Sequence, residues 1–342
     1  MKRLFLSTCL AVAGFSTAAL ADDASSTLDE AVVTATRLPS LLDQAPGVKL
    51  ITAEDIAARQ AIFAADVLET VPGLSVARNG AYGGITSVRM RGASTDKTLV
   101  LVDGVPMNDP SDPNGAFDFA NFDLAEIDRI EILSGPQSSL WGSEAIGGVI
   151  SFTTREVDGL RAGVEGGAFG TARGYAGAGV STDAYAFGAN VSGLTTDGIS
   201  KAASGTEADG FREGTAQAFG RVKLGDALQL DGRVRYVRSR AALDGFPPPV
   251  FALADTDDVS QSETWSGFAR LRYDGVWALH HTLSVSAYDI DRSQEGESGA
   301  FGYTAQRQVY RYLVERGAPT DPWGLALGAE RPGDMGGEHH IW

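Results

Sequence analysis

From Leu160 onward, apolar and polar residues alternate in one strand-length run after another. Leu228, Leu230, Val234 and Tyr236 are interleaved with Gln229, Asp231, Arg233 and Arg235. Trp265, Ala269, Leu271 and Tyr273 are interleaved with Ser266, Arg270 and Arg272, and Tyr185, Phe187, Ala189 and Val191 with Asn190 and Ser192. A period of two means strands with two unlike faces. A water-soluble sandwich alternates as well, with its polar face turned to solvent. Here aromatics recur near strand ends and charges crowd the other face, the pattern of lipid-facing and lumen-facing sides of a membrane barrel. The 42 glycines cluster after residue 158 without a collagen period, as small residues do on strands around a crowded lumen. Thr195–Glu213 and Ala241–Glu263 read as long outer loops, and Asp183–Ala184 and Gly225–Asp226 as short turns at the opposite end.

The start of the chain is a targeting segment, residues 1–21. Lys2 and Arg3 precede a short apolar run, and Ala19-Leu20-Ala21 fits an A-x-A cleavage pattern. The run is too short, and too broken by Ser7, Thr8, Ser16 and Thr17, to read as a membrane-spanning helix. The one cysteine, Cys9, lies inside it, so the mature chain has neither a disulfide nor a cysteine-based metal site. After the signal no run of about 18 apolar residues occurs, which leaves strands as the only way to cross a membrane. The net charge of -16 excludes a typical nucleic-acid binder.

Residues 22–44 form a polar linker that holds a β-prone island, Ala31–Arg37. Such an exposed segment can add as an edge strand to another protein. Residues 45–156 then read as a compact α/β unit with its own core. Thr52-Ala53-Glu54-Asp55 resembles a capping box, and Ile56, Phe63, Val67 and Leu68 share one face of the helix it opens. Val71-Pro72-Gly73 stops that helix. Val88 and Met90 alternate with Arg89 and Arg91. Leu99–Val102 is a wholly apolar strand turned by Asp103-Gly104, Ile130 and Ile132 belong to another, and Gly147-Gly148 leads into a third. The remaining 157–342 hold about seven to nine strands.

Three blocks in this order, DEAVVTATR, LVLVDGVPMND and IEILSGPQSSLWGSEAIGGVISFTTRE, resemble the Ton box and plug signatures of TonB-dependent outer-membrane receptors. Together with TTDGISKAASGTEADGFRE in the first long loop, they look most like cobalamin receptors. The resemblance covers the chain to about residue 156. It implies an α+β plug domain followed by an antiparallel transmembrane β-barrel in the bacterial outer membrane, in contact with its lipid. It also implies active uptake of a scarce nutrient and no enzyme activity. The implied cargo is cobalamin or another corrinoid, with an iron-siderophore chelate or haem as the alternative. The implied partner is the TonB energy transducer, gripping Glu30, Ala31, Val32, Val33, Thr34 and Ala35. No covalent cofactor is implied. Calcium ordering the outer loops is implied, with Asp197, Glu207, Asp209 and Asp244 as oxygen donors. Solvated acidic loops account for the same residues.

Tyr82 and Gly83 form one candidate ligand-facing tip, and Asn108, Asp109 and Ser111 another; plain turns explain both equally well. A displaceable plug calls for polar contacts with the lumen wall, and Arg89 and Arg91 are candidates for them. Ser94–Lys97 spells S-x-x-K, but the companion catalytic motifs are missing. The pairs His280-His281 and His339-His340 put neighbours on opposite faces of a strand, so neither is a ready chelate.

Length sets a further expectation. About 22 strands of 9–11 residues each need roughly 200–240 residues, whereas 187 follow Arg155. The barrel is therefore expected to be incomplete, as in a truncated or frame-shifted product. Its two open sheet edges would then keep this chain from inserting stably by itself.

Overall fold

The computed structural model describes residues 32–33, 40–41, 47–80, 82–110, 112, 115–120, 122–202, 205, 207–316, 325–335 and 339–341. The signal segment lies outside them. Two short strands come first, β1 (Val32–Val33) and β2 (Ser40–Leu41), paired antiparallel.

The first folded unit contains β3 (Val48–Thr52), α1 (Ala53–Ala58), α2 (Ala64–Leu68), β4 (Leu74–Arg78), β5 (Thr86–Met90), β6 (Thr98–Val102), β7 (Val105–Pro106), β8 (Ile127–Ser134), α3 (Ser138–Trp141) and β9 (Gly148–Thr154). Its main sheet has the order β3-β8-β9-β6-β7. Only the β6–β9 pairing is parallel. Thr98–Val102 is buried at every position because β6 lies inside that sheet with both faces covered, which explains its unbroken apolar run. Asp103 (φ 53°) and Gly104 (φ 83°) both take positive φ, the geometry of a tight type I′ hairpin. Gly148 cannot be replaced: a Cβ there would lie 2.2 Å from the Met90 sulfur and 2.3 Å from the Leu133 carbonyl. Ile56, Val67 and Leu68 on the helices pack with Ile130, Ile132, Ile150 and Phe152 in one core.

The capping box is present: the Asp55 amide donates to Thr52 Oγ1 at 3.2 Å and the Thr52 amide to Asp55 Oδ2 at 3.0 Å. The expected single helix is two, however. Gln60 takes φ 51°, which breaks the first, and the Phe63 amide donates to Asp66 Oδ2 at 3.1 Å to start the second.

Nine strands follow: β10 (Gly159–Gly166), β11 (Ala172–Ser181), β12 (Tyr185–Thr196), β13 (Phe211–Leu224), β14 (Leu228–Gly245), β15 (Ala254–Asp274), β16 (Leu279–Gly296), β17 (Gly299–Arg316) and β18 (Leu325–Met335). Each pairs antiparallel with the next, and β19 (His339–Ile341) also pairs with β17. The sheet does not close on itself. No helix among the described residues is long and apolar enough to cross a membrane. The expected short turns are found after β11 and β13, and the first long loop spans residues 197–210. The second is a correction: most of Ala241–Glu263 is strand, and only residues 246–253 are loop. β14 and β15 run for 18 and 21 residues, well beyond the 9–11 that span a bilayer. Their paired ends, where the sequence loses its alternation, therefore extend beyond the length that a bilayer requires.

One face of this wall is apolar and exposed, with Leu230, Val234, Tyr273, Leu283 and Tyr312 among its side chains. On the opposite face Glu213, Thr215, Gln217 and Arg235 are covered. The first unit covers that face. Tyr288, Ile290 and Ala305 of the wall join its hydrophobic core.

Asn108 is a fastener of the first unit. Its Oδ1 accepts from the Val100 amide at 2.8 Å, and its Nδ2 donates to the Thr98 and Gly115 carbonyls at 3.1 and 3.0 Å. Asn108→Ala should lower stability by about 1–3 kcal/mol. Urea unfolding should show the loss, and hydrogen exchange at the Val100 amide should rise more than at Ile130.

Candidate functional site

The wall meets the first unit through charge. Arg173 (β11) reaches Asp123 at 2.5 Å, Arg233 (β14) Asp103 at 3.0 Å, Arg307 (β17) Glu144 at 3.1 Å, Arg161 (β10) Glu126 at 3.4 Å and Arg292 (β16) Asp118 at 3.5 Å. Arg221 and Arg233 both hold Glu156 in the connecting segment, at 3.1 and 3.2 Å. Arg233 also donates to the Thr154 hydroxyl and carbonyl. Asp123 is fully engaged: Oδ1 accepts from the Ala125 amide at 3.1 Å and Oδ2 from the Ser192 hydroxyl at 3.2 Å. The Arg235 guanidinium lies over the Phe122 ring, 5.2 Å from its centroid. Burial raises the Glu126 carboxyl above its ordinary value, against the pull of Arg161.

In every one of these pairs the inner unit supplies the carboxylate and the wall the guanidinium. That corrects the expectation for Arg89 and Arg91, which are exposed. Alternation puts Arg89 on one side of β5 and Arg91 lies just past the strand's end at φ 51°, but periodicity says nothing about which side meets the wall.

At the end of the wall bearing the 197–210 loop, a cleft of about 250 Å³ is lined by Phe63, Arg78, Tyr82, Gly83, Phe169 and Ile199, among others. Tyr82 packs on Phe63 with ring centroids 5.4 Å apart, and Phe63 on Phe211 at 5.9 Å. Gly83 has φ +84°, and a Cβ on it would lie 2.4 Å from the Ala241 side chain, so glycine lets this tip touch the wall. The other tip is a correction. Asn108 is fully buried and occupied by backbone, and Asp109 is buried beside Tyr288 and Arg292. Ser111 lies outside the described residues. The polar run after β6 had suggested an exposed turn; it is polar because it satisfies buried backbone groups.

Glu207 in the 197–210 loop, Asp244 at the end of β14 and Asp255 at the start of β15 bring carboxylate oxygens within 4.8 Å of one another. Asp209 joins them: its Oδ2 accepts from the Lys201 amide at 2.7 Å, and it hydrogen-bonds Asp244. A hydrogen bond with Asp255, with some burial and the neighbouring acids, raises the Glu207 carboxyl to about 7. Burial, with Asp244 nearby, raises Asp209 to about 6. Both groups hold protons more tightly folded than unfolded. Their contribution to loop order is complete below the ordinary carboxylate range and is lost as pH rises through about 6–7. Asp197 is a correction: its amide is tied to the Phe169 carbonyl and its carboxylate lies against Gly170, outside this cluster. Asp255, absent from the sequence-based set, enters through the β-hairpin register.

The remaining signals are structural. Lys97 pairs with Asp96 at 2.6 Å. His280 bonds Asp274 and His281 bonds Tyr312, on opposite faces as expected. Of the expected transducer segment, Val32 and Val33 form β1, whereas Glu30, Ala31, Thr34 and Ala35 lie outside the described residues.

These contacts define a plug seated against an antiparallel membrane-type wall. Residues 40–149 match the family model of the TonB-dependent Receptor Plug Domain. Solved structures with the same fold include the alcaligin outer-membrane receptor FauA of Bordetella pertussis (18% identity, TM-score 0.71, 91% of this chain and 51% of that one). Others are the ferric yersiniabactin uptake receptor FyuA of Yersinia pestis (17%, 0.66, 83% and 48%) and a mutant of the ferric enterobactin receptor PfeA of Pseudomonas aeruginosa (20%, 0.65, 88% and 50%). The chain spans about half the length of these receptors. Its fold is that of a TonB-dependent receptor's plug with part of its barrel.

Asp123→Asn leaves the Arg173 guanidinium, with only 8% of its side chain exposed, with the exposed Glu165 carboxylate at 3.5 Å as its remaining charged partner. The plug should be destabilised by about 3–5 kcal/mol. Replacing both residues together, Asp123→Leu with Arg173→Met, should recover most of that loss. A double-mutant cycle on urea midpoints measures the difference.

Proposed function

We propose that this chain is the plug-bearing part of a TonB-dependent receptor of the bacterial outer membrane, which takes up a scarce nutrient with energy drawn from the inner membrane. The observation that carries this reading is the charged seam. A plug held by ion pairs across its whole boundary seals the wall at rest. Most of that boundary can also separate at modest cost, because water or other ions can take the place of its carboxylates; the apolar contacts at Tyr288, Ile290, Ala305 and Phe211 are the part that resists. Neither a passive pore nor an enzyme calls for such a seam.

An outer membrane has no ATP, so force must arrive through a partner. The segment Glu30–Ala35 suits that grip: Val32–Val33 is already extended, and strand addition needs only main-chain donors and acceptors. Val33→Pro removes one donor and disfavours the pairing. Capture by the transducer's periplasmic domain should fall at least tenfold, and uptake should stop while cargo binding at the cell surface persists. Unchanged capture would refute the assignment of this segment.

For the cargo, the solved neighbours favour an iron chelate, since three of them are the receptors for alcaligin, ferric yersiniabactin and ferric enterobactin. The carboxylate cluster supports cobalamin as the second reading, because calcium-ordered loops accompany the resemblance to cobalamin receptors. The cluster fits calcium: an all-oxygen donor set, partly buried, whose crowded acids a hard divalent ion would relieve. Glu207, Asp209, Asp244 and Asp255 would hold the ion, which would supply a tie between the 197–210 loop and the β14–β15 hairpin. Calcium should then protect both loops from protease at least fivefold, and Asp244→Asn should abolish the protection. Equal cleavage with calcium and with chelator would remove the support for cobalamin. Competition of labelled cobalamin against ferric siderophores on a complete receptor decides between the cargoes.

A further inference from the structure

The wall arginines have more capacity than the plug uses. Arg173, Arg233 and Arg235 have side chains about nine-tenths buried, and each keeps an Nε–H with no partner among the described residues. Together with Arg161, Arg292 and Arg307 they line the inner face from β10 to β17. That face also carries acids: Asp231 held by Arg270 at 3.2 Å, Glu165 beside Arg173 at 3.5 Å, Glu330 beside Arg311 at 2.8 Å, and Glu213 buried beside Arg235. Without the plug, Arg161, Arg233, Arg292 and Arg307 lose the carboxylates that hold them, which leaves the face with an excess of guanidinium. An arginine cannot shed its charge, and a buried one left unpaired is costly. Any path that opens between plug and wall must therefore offer these guanidiniums new anionic partners or flood them with water.

We propose that the plug carboxylates hold the places of an anionic cargo, so that the lumen wall built by this chain selects cargo bearing carboxylate, phosphate or other anionic oxygens. Asp103, Asp118, Asp123 and Glu144 act as resident anions. As the plug shifts, anionic groups of the cargo take over the same guanidiniums in turn. Planar arginine forks suit this exchange, because they donate to carboxylate and phosphate oxygens in the same geometry. Rings of Arg and Lys give anion selectivity in other pores by the same physics. The inference rests on the uptake reading, and it narrows the cargo by charge.

The test uses a complete receptor containing these residues, reconstituted in a planar bilayer, with the plug loosened by urea so that the lumen conducts. Potassium chloride is the probe. A salt gradient should give a reversal potential of the sign for anion preference, with chloride favoured over potassium about threefold or more. Arg173→Gln, Arg233→Gln and Arg307→Gln together should reduce that ratio to about one, whereas the matching lysine variants should keep it. Heat-modifiable gel mobility confirms that each variant is folded. A wild-type lumen without anion preference, or glutamine and lysine variants with the same ratio, overturns the proposal. The measurement needs no transducer, so a conducting but cation-selective lumen defeats this inference alone. A receptor that never conducts and never binds the transducer defeats both readings.

Discussion

Everything in this structure depends on finding a partner for buried guanidinium groups. The inner face of this wall is covered by a folded domain, and carboxylates on that domain are the partners its guanidiniums find. The choice has consequences for strength. Packing the plug to the wall with apolar side chains alone would make separation expose a hydrophobic surface on each side, at about 25 cal/mol per Å². Ion pairs behave differently, since water or a soluble ion can replace either member. Apolar contact is present where Tyr288, Ile290 and Ala305 meet the plug core, but the charged pairs are spread over five wall strands. The boundary therefore combines a few apolar anchors, at Tyr288, Ile290, Ala305 and Phe211, with a wider charged rim that can be wetted.

The same division explains the strands. On their outer side Leu230, Val234 and Leu283 are exposed because lipid, not water, is their solvent. Tyr273, His281 and Tyr312 form a row of rings across three neighbouring strands near one edge, as aromatic girdles do at a membrane interface. On their inner side the polar residues are buried by another domain. Alternation in the sequence thus records two environments, neither of them bulk water. Where β14 and β15 outrun the length needed to span a bilayer, the alternation ends and acids replace the pattern, Asp244 and Asp258 among them buried by the loops around them. Asp244 and Asp255 stand there, on the two sides of one hairpin.

Local features of the sequence were the readable ones. The capping box at Thr52, the Asp103-Gly104 turn, the wholly buried β6 and the short turns after β11 and β13 each follow from a few adjacent residues. Long-range features were less readable. A helix pattern running from Ile56 to Leu68 did not betray the break at Gln60, since the apolar face continues across it. Asn108 looked like a solvent-facing tip because its three partners, at Thr98, Val100 and Gly115, are backbone groups that no side-chain pattern reveals. The seam was foreseen as polar but assigned to the wrong cations. Arg89 stands in a recognisable strand and Arg91 just after it, yet the partners of Asp103 and Asp123 come from residues 130 and 50 positions away. Glu207, Asp209 and Asp244 do converge, while Asp197, close by in sequence, is held elsewhere by the turn at Phe169.

Sheet order adds a mechanical argument to the proposed uptake. Force applied at Val32–Val33 would reach the plug through the linker at Val48, the first residue of β3. That strand is an edge of the plug sheet, five residues long and paired only with β8. Pulled from one end, an edge strand gives up its hydrogen bonds one after another instead of all at once, so its resistance is small. β6 lies inside the same sheet between β9 and β7, with every residue buried, and cannot be loaded until the strands before it have gone. The Arg233–Asp103 pair sits at the end of β6 and the Arg173–Asp123 pair just before β8. The topology therefore puts the weakest element where force would enter and leaves the charged seam to be opened afterwards. That order lets a seal that is firm at rest be undone by a modest pull.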